Sequence, residues 1–163
     1  MKLKPLYRLR LTYPQGWRAN LTGTEGTEGR YFYFAEGSCD GRITGRFRGA
    51  NHPQRRTDQT FQTDLQGVIE TADGAAILVD IQGYGRPHPI GRRQAVMALR
   101  HVSESERYLW LNDALCVAVG EVRSMGSEEE PTRADQGTPV AAIRSNIAVV
   151  LDVAELVWEP IQE

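Results

Sequence analysis

Apolar and polar residues alternate with a period of two along most of the chain, as in strands with one buried face. The segment 42–49 is the clearest case, because Ile43, Gly45 and Phe47 share one face and the other face is polar. Aromatic and β-branched residues, which favour strands, are frequent in the same segments. The pattern predicts strands at 6–13, 30–34, 42–49, 60–71, 75–83, 93–102, 115–123 and 146–158.

Clusters rich in glycine, proline and acids separate these segments and predict turns, as in TGTEGTEG, AEGSCDG, TADG and GYGRPHPIG. Many strands at this spacing indicate an antiparallel sandwich or barrel. Because closure removes exposed edge strands, we favour an all-β fold, a single antiparallel β-barrel of about eight strands over residues 1–163. The segment 124–141 is poor in large apolar residues and predicts a mobile loop in a long hairpin.

One helical segment is predicted at 103–112. It opens with Ser103, and Glu106 follows three residues later, which is a capping-box pattern. The segment is too short to be stable by itself. We therefore expect it to cross one end of the barrel, with Leu109 and Trp110 tucked beneath it.

The stretch DLQGVIETADGAAILVDIQGY at 64–84 predicts a β-hairpin. A three-residue loop at 72–74 makes one face wholly apolar and gathers short polar side chains on the other. A two-residue loop would mix both kinds of residue on each face, so we adopt the three-residue loop. The polar face then carries Asp64, Gln66, Asp80 and Gln82.

Two orientations of this hairpin are open. In the first, the apolar face is the core and the polar face meets water. In the second, the polar face lines the barrel interior, where short polar groups beside aliphatic ones would orient a ligand. Asp64 and Asp80 would then be a catalytic acid/base pair with one raised pKa, and Gln66 and Gln82 would bind substrate. The apolar face would point outward, which predicts a two-fold homodimer that covers it.

Further candidates lie outside this row. His88 is a candidate general base in a loop that also holds Tyr84, a candidate ligand-binding residue. Trp110 could form a ligand wall or simply pack, and Asn112 could bind a ligand oxygen or cap the helix. The three histidines have no metal-ligand spacing, and no loop cradles a phosphate, so we expect no metal and no cofactor.

Composition adds limits on partners and location. The formal net charge of −2 provides no field that would recruit nucleic acid or an anionic membrane. We find no signal peptide and no apolar run of about 20 residues, so no membrane partner is expected. Cys39 and Cys116 match no metal or redox spacing. They are expected to be reduced, packed thiols in a cytoplasmic protein.

Several blocks resemble the bacterial domain-of-unknown-function family 3237: GRITGRFRGANHP, DLQGVIETADGAAILVDIQGYG, RYLWLND followed by ALCVAVGEVR, and LVWEP. The resemblance runs from about Leu6 to Pro160 and implies a single antiparallel β-barrel without an agreed activity. Members often carry arginine where this chain has Gln66, and a Gly-Asp-Trp patch where it has residues 57–59. The positions that fall on family motifs are Asp64, Asp73, Gly74, Gly83, Tyr108, Trp110 and Asn112.

Two functions remain open from the sequence. The first is a cofactor-independent enzyme of isomerase, cyclase or lyase type that acts on a hydroxylated or aromatic metabolite. The second is a non-catalytic ligand-binding or accessory barrel, since no recognised catalytic motif is present. Both require a small-molecule ligand as the partner.

Overall fold

The computed structural model describes residues 2–88, 92–124 and 146–160, with the backbone alone for His88. Within these ranges the chain forms nine strands and one short 3-10 helix, which is not long enough to span a membrane. The strands are β1 (Lys2–Gly23), β2 (Gly26–Gly41), β3 (Gly45–Asn51), β4 (Gln54–Arg55), β5 (Phe61–Thr71), β6 (Ala76–His88), β7 (Arg92–Val102), β8 (Cys116–Ser124) and β9 (Ile147–Val157), and the 3-10 helix is Glu106–Leu111.

Eight of these strands form a closed antiparallel ring. The order is β1-β9-β8-β7-β6-β5-β3-β2, and β2 pairs back with β1 to close it. The two-residue strand β4 continues the position of β3 between β2 and β5. Ring strands run from 7 to 22 residues, so the barrel is uneven. The predicted all-β antiparallel barrel of about eight strands is confirmed.

Two predicted turn clusters lie inside strands instead. AEGSCDG belongs to β2, and GYGRPH belongs to β6. Gly37 explains the first error, because a side chain there would collide with the backbone carbonyl of Arg10 on β1. The glycine therefore permits close strand approach rather than a turn. Nearly all of the loop predicted at 124–141 lies outside the described residues.

The predicted register of the β5–β6 hairpin is confirmed. Ile69 lies opposite Ile77, and Asp64 lies opposite Gln82. Gly74 ends the three-residue loop with φ of 84°, a left-handed conformation that glycine adopts without strain. The amide N–H of Gly74 donates to the carbonyl of Thr71 at 3.0 Å, which closes the turn.

The apolar face of this hairpin is the barrel core. Closing the ring removes that face from water, which is the main gain in folding. The hypothesis that the polar row lines the interior is therefore wrong, and the alternative orientation holds. The outward apolar face on which we based the homodimer does not exist. The hairpin side chains in the core are Leu65, Ile69, Ile77, Val79 and Ile81, each at most 3% exposed.

The segment after β7 covers one end of the ring, here called the closed end. Its residues Tyr108 and Leu111 are buried, whereas Leu109 is 47% and Trp110 37% exposed, so the expected packing of the last two is wrong. The 3-10 geometry explains the difference, since three residues per turn place 108 and 111 on the same side.

The predicted capping box is also absent. Ser105 precedes the helix without a side-chain cap bond. Ser103 instead donates its hydroxyl to the carbonyl of Ala76 at 2.8 Å, which ties the segment to the β6 end of the hairpin.

Candidate functional site

The predicted carboxylate pair lies on the outer wall of the barrel. Arg100 donates to Asp80 at 2.9 Å, and this ion pair is partly open to solvent. One oxygen of Asp64 and one of Asp80 are covered and have no hydrogen-bond partner among the described residues. Gln66 and Gln82 are exposed. These four side chains therefore do not line the lumen, and their assigned roles stay predictions.

The other predicted ligand residues are dispersed. Tyr84 is 51% exposed on the outer wall of β6. The side chain of His88 lies outside the described residues. Trp110 packs beneath the guanidinium of Arg42, 4.6 Å from its ring centre, and donates its indole N–H to the carbonyl of Arg107 at 3.1 Å. The structure does not bring Tyr84 and Trp110 together.

Asn112 has a structural role at the closed end. It is the C-cap residue of the 3-10 helix. Its amide oxygen accepts the N–H of Ser103 at 2.8 Å, and its amide nitrogen donates to the carbonyl of Ser103 at 3.0 Å. Both ends of the amide are thus engaged in closing the 103–112 segment.

A different set of polar residues lies inside the barrel, at the open end opposite the 3-10 helix. Asn51 is 3% exposed and donates its amide to the hydroxyl of Tyr13 at 2.7 Å. Its amide oxygen is buried and has no partner among the described residues. Turning the amide over would leave the nitrogen unpaired instead. Either way, one polar atom of Asn51 is available to another molecule.

Aromatic rings extend from this pair toward the rim. Tyr13 and Tyr33 stack with centroids 4.8 Å apart, and Tyr31 stacks on Tyr33 at 5.8 Å. Phe61 continues the row 5.8 Å from Tyr31. Gly16 makes this possible, because a side chain there would collide with the Tyr33 ring. We call Tyr13, Tyr31, Tyr33, Asn51 and Phe61 the inner cluster.

Three arginines border the inner cluster. Arg18 lies opposite Tyr31, and Arg55 lies opposite Phe61. Residues directly opposite in antiparallel strands point to the same side of the sheet, so both arginines face inward. The guanidinium of Arg93 lies 3.8 Å from the Phe61 ring centre, as a cation–π contact.

Two phenols of the inner cluster, those of Tyr13 and Tyr33, are kept neutral. Burial raises the pKa of Tyr13 to about 12, although the bond from Asn51 works against the increase. Burial also raises the pKa of Tyr33, as do its phenol neighbours, while Arg18 and Arg93 oppose the shift. At neutral pH both hydroxyls are protonated and able to donate hydrogen bonds.

No carboxylate accompanies these groups among the described residues whose side chains alternate inward at the open end. Nor do any three His, Cys, Asp or Glu side chains group as metal ligands in ranges 2–88, 92–124 and 146–160. The cluster is therefore a neutral and cationic hydrogen-bonding surface with an aromatic wall, which suits an electron-rich oxygen on a ligand.

Two other features are weaker candidates. Tyr7 and His101 are hydrogen-bonded at 2.7 Å in the closed end, but both are at most 4% exposed. A surface groove of about 620 Å³ lies across β1, β2, β8 and β9. No residue lining the groove is among the described residues with a buried unpaired polar atom. The first feature lies at the end of the ring that the 3-10 segment covers, and the second has no unsatisfied polar atom among its described lining residues.

The sequence contains a signal for the inner cluster that we did not use. Asn51 continues the inward phase of Ile43, Gly45 and Phe47, so it is a polar residue on an apolar strand face. Tyr13 continues the phase of the buried leucines of β1 in the same way. A polar residue in that phase must be paired or must serve a ligand.

Fold and site together define a small closed antiparallel barrel with a polar aromatic cluster at one end. The family model described as "Protein of unknown function (DUF3237)" matches residues 1–133, and the chain belongs to this family. The resemblance drawn from the sequence blocks is confirmed. Among curated proteins no relative matches the chain.

Solved structures share the fold at low sequence identity. A "beta-barrel like protein" from Acinetobacter baumannii AYE is 21% identical, with TM-score 0.66 and 94% of each chain covered. A conserved protein of unknown function from Rhodopseudomonas palustris is 17% identical, with TM-score 0.69 and 96% of this chain and 97% of that chain covered. A protein described as an enzyme from Penicillium herquei is 20% identical, with TM-score 0.55 and 93% of each chain covered.

Proposed function

We propose that this protein binds a small hydroxylated or aromatic metabolite at the open end and transforms it without a cofactor, by isomerase, cyclase or lyase chemistry. The observation that carries the proposal is Asn51, a fully enclosed amide with one unpaired polar atom beside Tyr13. An unpaired buried polar group costs about 1–3 kcal/mol. A ligand hydroxyl or carbonyl would remove that cost.

The chemistry follows from the charges around the ligand. Neutral phenols and nearby guanidinium groups stabilise a negatively charged oxygen of a transition state better than the neutral oxygen of the ground state. A substrate that passes through an enolate or phenolate would therefore react faster there. Its proton would leave to water and a proton would return at another atom, so no oxidant is needed. That a similar barrel from Penicillium herquei is described as an enzyme supports catalysis on this fold.

The second candidate is a non-catalytic binding barrel. It is favoured by the lack of an acid or an imidazole among the described inward-facing residues of the open end, since a general base commonly accelerates such reactions. The same inner cluster would then hold a ligand without changing it.

The experiment is a thermal-shift screen with hydroxylated and aromatic metabolites, followed by mass spectrometry of each stabilising mixture. Binding to the native state alone raises stability, and turnover yields a product of altered mass or retention. Stabilisation with product supports the enzyme, and stabilisation without product supports the binding barrel. A ligand that stabilises the wild type and does not stabilise Asn51→Leu assigns the site to the open end.

Tyr84→Phe is the matched control, because Tyr84 is an exposed tyrosine on the outer wall. We expect Tyr33→Phe to weaken binding or turnover and Tyr84→Phe to change neither. Equal effects of the two variants, or a ligand whose binding ignores Asn51→Leu, would remove the open end from the proposal.

The cysteines bear on the cellular compartment of the protein. Cys39 and Cys116 are buried, unpaired thiols, as expected from the sequence. Such thiols are compatible with a reducing compartment, and we include cytoplasmic location in the proposal on that basis.

A further inference from the structure

Two arginines of the open end, Arg18 and Arg55, face inward without a carboxylate partner in the part of the chain that the structure describes. Among the described residues neither Arg18 nor Arg55 forms an ion pair with an acid. By contrast, outward arginines such as Arg8 and Arg100 are paired with Asp152 and Asp80. An inward, half-buried guanidinium without a carboxylate is costly, because its charge is partly removed from water.

Arg55 carries a second observation of this kind. Its Nε is buried and has no acceptor among the described residues. Guanidinium groups have five donors and no acceptor, so an oxygen-rich anion is the partner that satisfies them best. Arg93 adds a third positive charge above the ring of Phe61.

These groups lie at different depths along the barrel axis. Asn51 and Tyr13 are enclosed, at 3% and 7% exposed, whereas the arginines are partly open at the rim. The aromatic row runs from the first level to the second. Tyr33 lies opposite Asn51. Tyr31 and Phe61 lie opposite Arg18 and Arg55. A complementary ligand therefore has a neutral hydroxyl at one end, a flat ring in the middle and an anionic group at the other end.

We propose that the open end selects a planar aromatic hydroxy acid, with its hydroxyl at the unpaired amide atom of Asn51 and its carboxylate among Arg18, Arg55 and Arg93. This inference rests on the proposed function and specifies its ligand class. The hydroxyl suits Asn51 because it donates or accepts, whichever way the amide is turned. The carboxylate suits guanidinium groups through charge-assisted, paired hydrogen bonds.

The test uses three probes of one shape: 4-hydroxybenzoate, 4-hydroxybenzamide and benzoate. The amide lacks the charge, and benzoate lacks the hydroxyl. Isothermal titration on the full chain should show 4-hydroxybenzoate binding roughly tenfold more tightly than 4-hydroxybenzamide, since charge-assisted hydrogen bonds have about this effect. Benzoate should also bind less tightly than 4-hydroxybenzoate.

Two variants assign the groups. Arg18→Gln combined with Arg55→Gln should weaken 4-hydroxybenzoate binding roughly tenfold and leave 4-hydroxybenzamide binding unchanged. Asn51→Leu should remove the advantage of 4-hydroxybenzoate over benzoate. Arg100→Gln is the matched control, because that arginine is outward, with a side chain 72% exposed. It should leave all three affinities unchanged, and circular dichroism checks that each variant is folded.

Three results would overturn the inference and are distinguishable from failure of the proposed function. If 4-hydroxybenzamide binds as tightly as 4-hydroxybenzoate through Asn51, the open end remains the site and the anion preference is wrong. If the arginine double variant keeps the full affinity for 4-hydroxybenzoate, Arg18 and Arg55 do not hold the carboxylate. Absence of binding by all three probes also overturns the inference of an aromatic hydroxy acid as ligand. The proposed function is decided separately, by the wider metabolite screen.

Discussion

Tyr7 and His101 are hydrogen-bonded 2.7 Å apart across the closed end of the barrel, with their rings edge to face. They come from β1 and β7, which are separated by most of the chain. The other ring nitrogen of His101 is buried and has no partner among the described residues. We therefore expect this pair to make the stability of the protein depend on pH.

Burial lowers the pKa of His101 from 6.5 to about 4. Between those values the unfolded chain binds a proton that the folded chain does not. The free energy of unfolding should therefore fall as the pH drops from about 6.5 to about 4, by roughly 2–3 kcal/mol. The neighbouring thiols titrate far above this window even in the unfolded chain, and burial raises the pKa of Cys39 and of Cys116 further, to about 11.

Urea denaturation at a series of pH values measures this loss. His101→Gln keeps a side chain able to bond Tyr7 but cannot be protonated, so its pH dependence should be flatter between 4 and 6.5. An equal slope in both proteins would show that other groups cause the acid sensitivity.

The bond between Asn51 and Tyr13 should contribute measurably to stability. Tyr13→Phe removes the acceptor and leaves a buried amide donor unpaired, so we expect a loss of about 1–3 kcal/mol. Tyr84→Phe removes the same hydroxyl from an exposed site and should change stability by less than about 0.5 kcal/mol. Chemical denaturation compares the two, and equal losses would mean that the inner bond has no stabilising effect.

Neighbouring residues on β6 test which face of the hairpin is core. Ile77 is 0% and Leu78 59% exposed. Ile77→Ala should cost about 2–5 kcal/mol, because it leaves a cavity in the barrel. Leu78→Ala should cost less than about 0.5 kcal/mol. The reverse order of the two losses in thermal or urea unfolding would contradict the inward apolar face.

The outer carboxylates should have little influence on ligand binding at the open end. Asp80→Asn removes a solvent-open ion pair with Arg100 and should change stability by less than about 1 kcal/mol. Asp80→Asn and Asp64→Asn should both leave the affinity for any open-end ligand unchanged. Loss of turnover in these two variants, with affinity retained, would restore the catalytic roles predicted from the sequence.

Asn112 should hold the closed end in place. Asn112→Ala removes both hydrogen bonds to Ser103, and we expect a loss of about 1–3 kcal/mol. Leu109→Ala, at an exposed position of the same segment, is the control. Amide exchange of residues 103–112 should become faster in the first variant only, and unchanged exchange would show that other contacts suffice.

The sequence by itself determined the positions of most strands, the antiparallel class and the register of the β5–β6 hairpin. These features depend on neighbours along the chain: the period-two alternation, and the Asp73-Gly74 pair that allows the turn. The sequence also determined which residues share a face. It did not decide which face is enclosed, because alternation is the same on both sides of a strand.

Only the tertiary structure decided the inner cluster. Tyr13, Tyr33, Asn51 and Phe61 come from β1, β2, β3 and β5, which are neighbours in the ring, and pairing of these strands in register brings the side chains together. The turn predicted at AEGSCDG is wrong for the same reason, since the close approach of Gly37 to Arg10 exists only once β1 and β2 are paired. Local patterns record what each residue prefers beside its chain neighbours. Contacts across the barrel depend instead on which apolar faces the whole chain can remove from water at once.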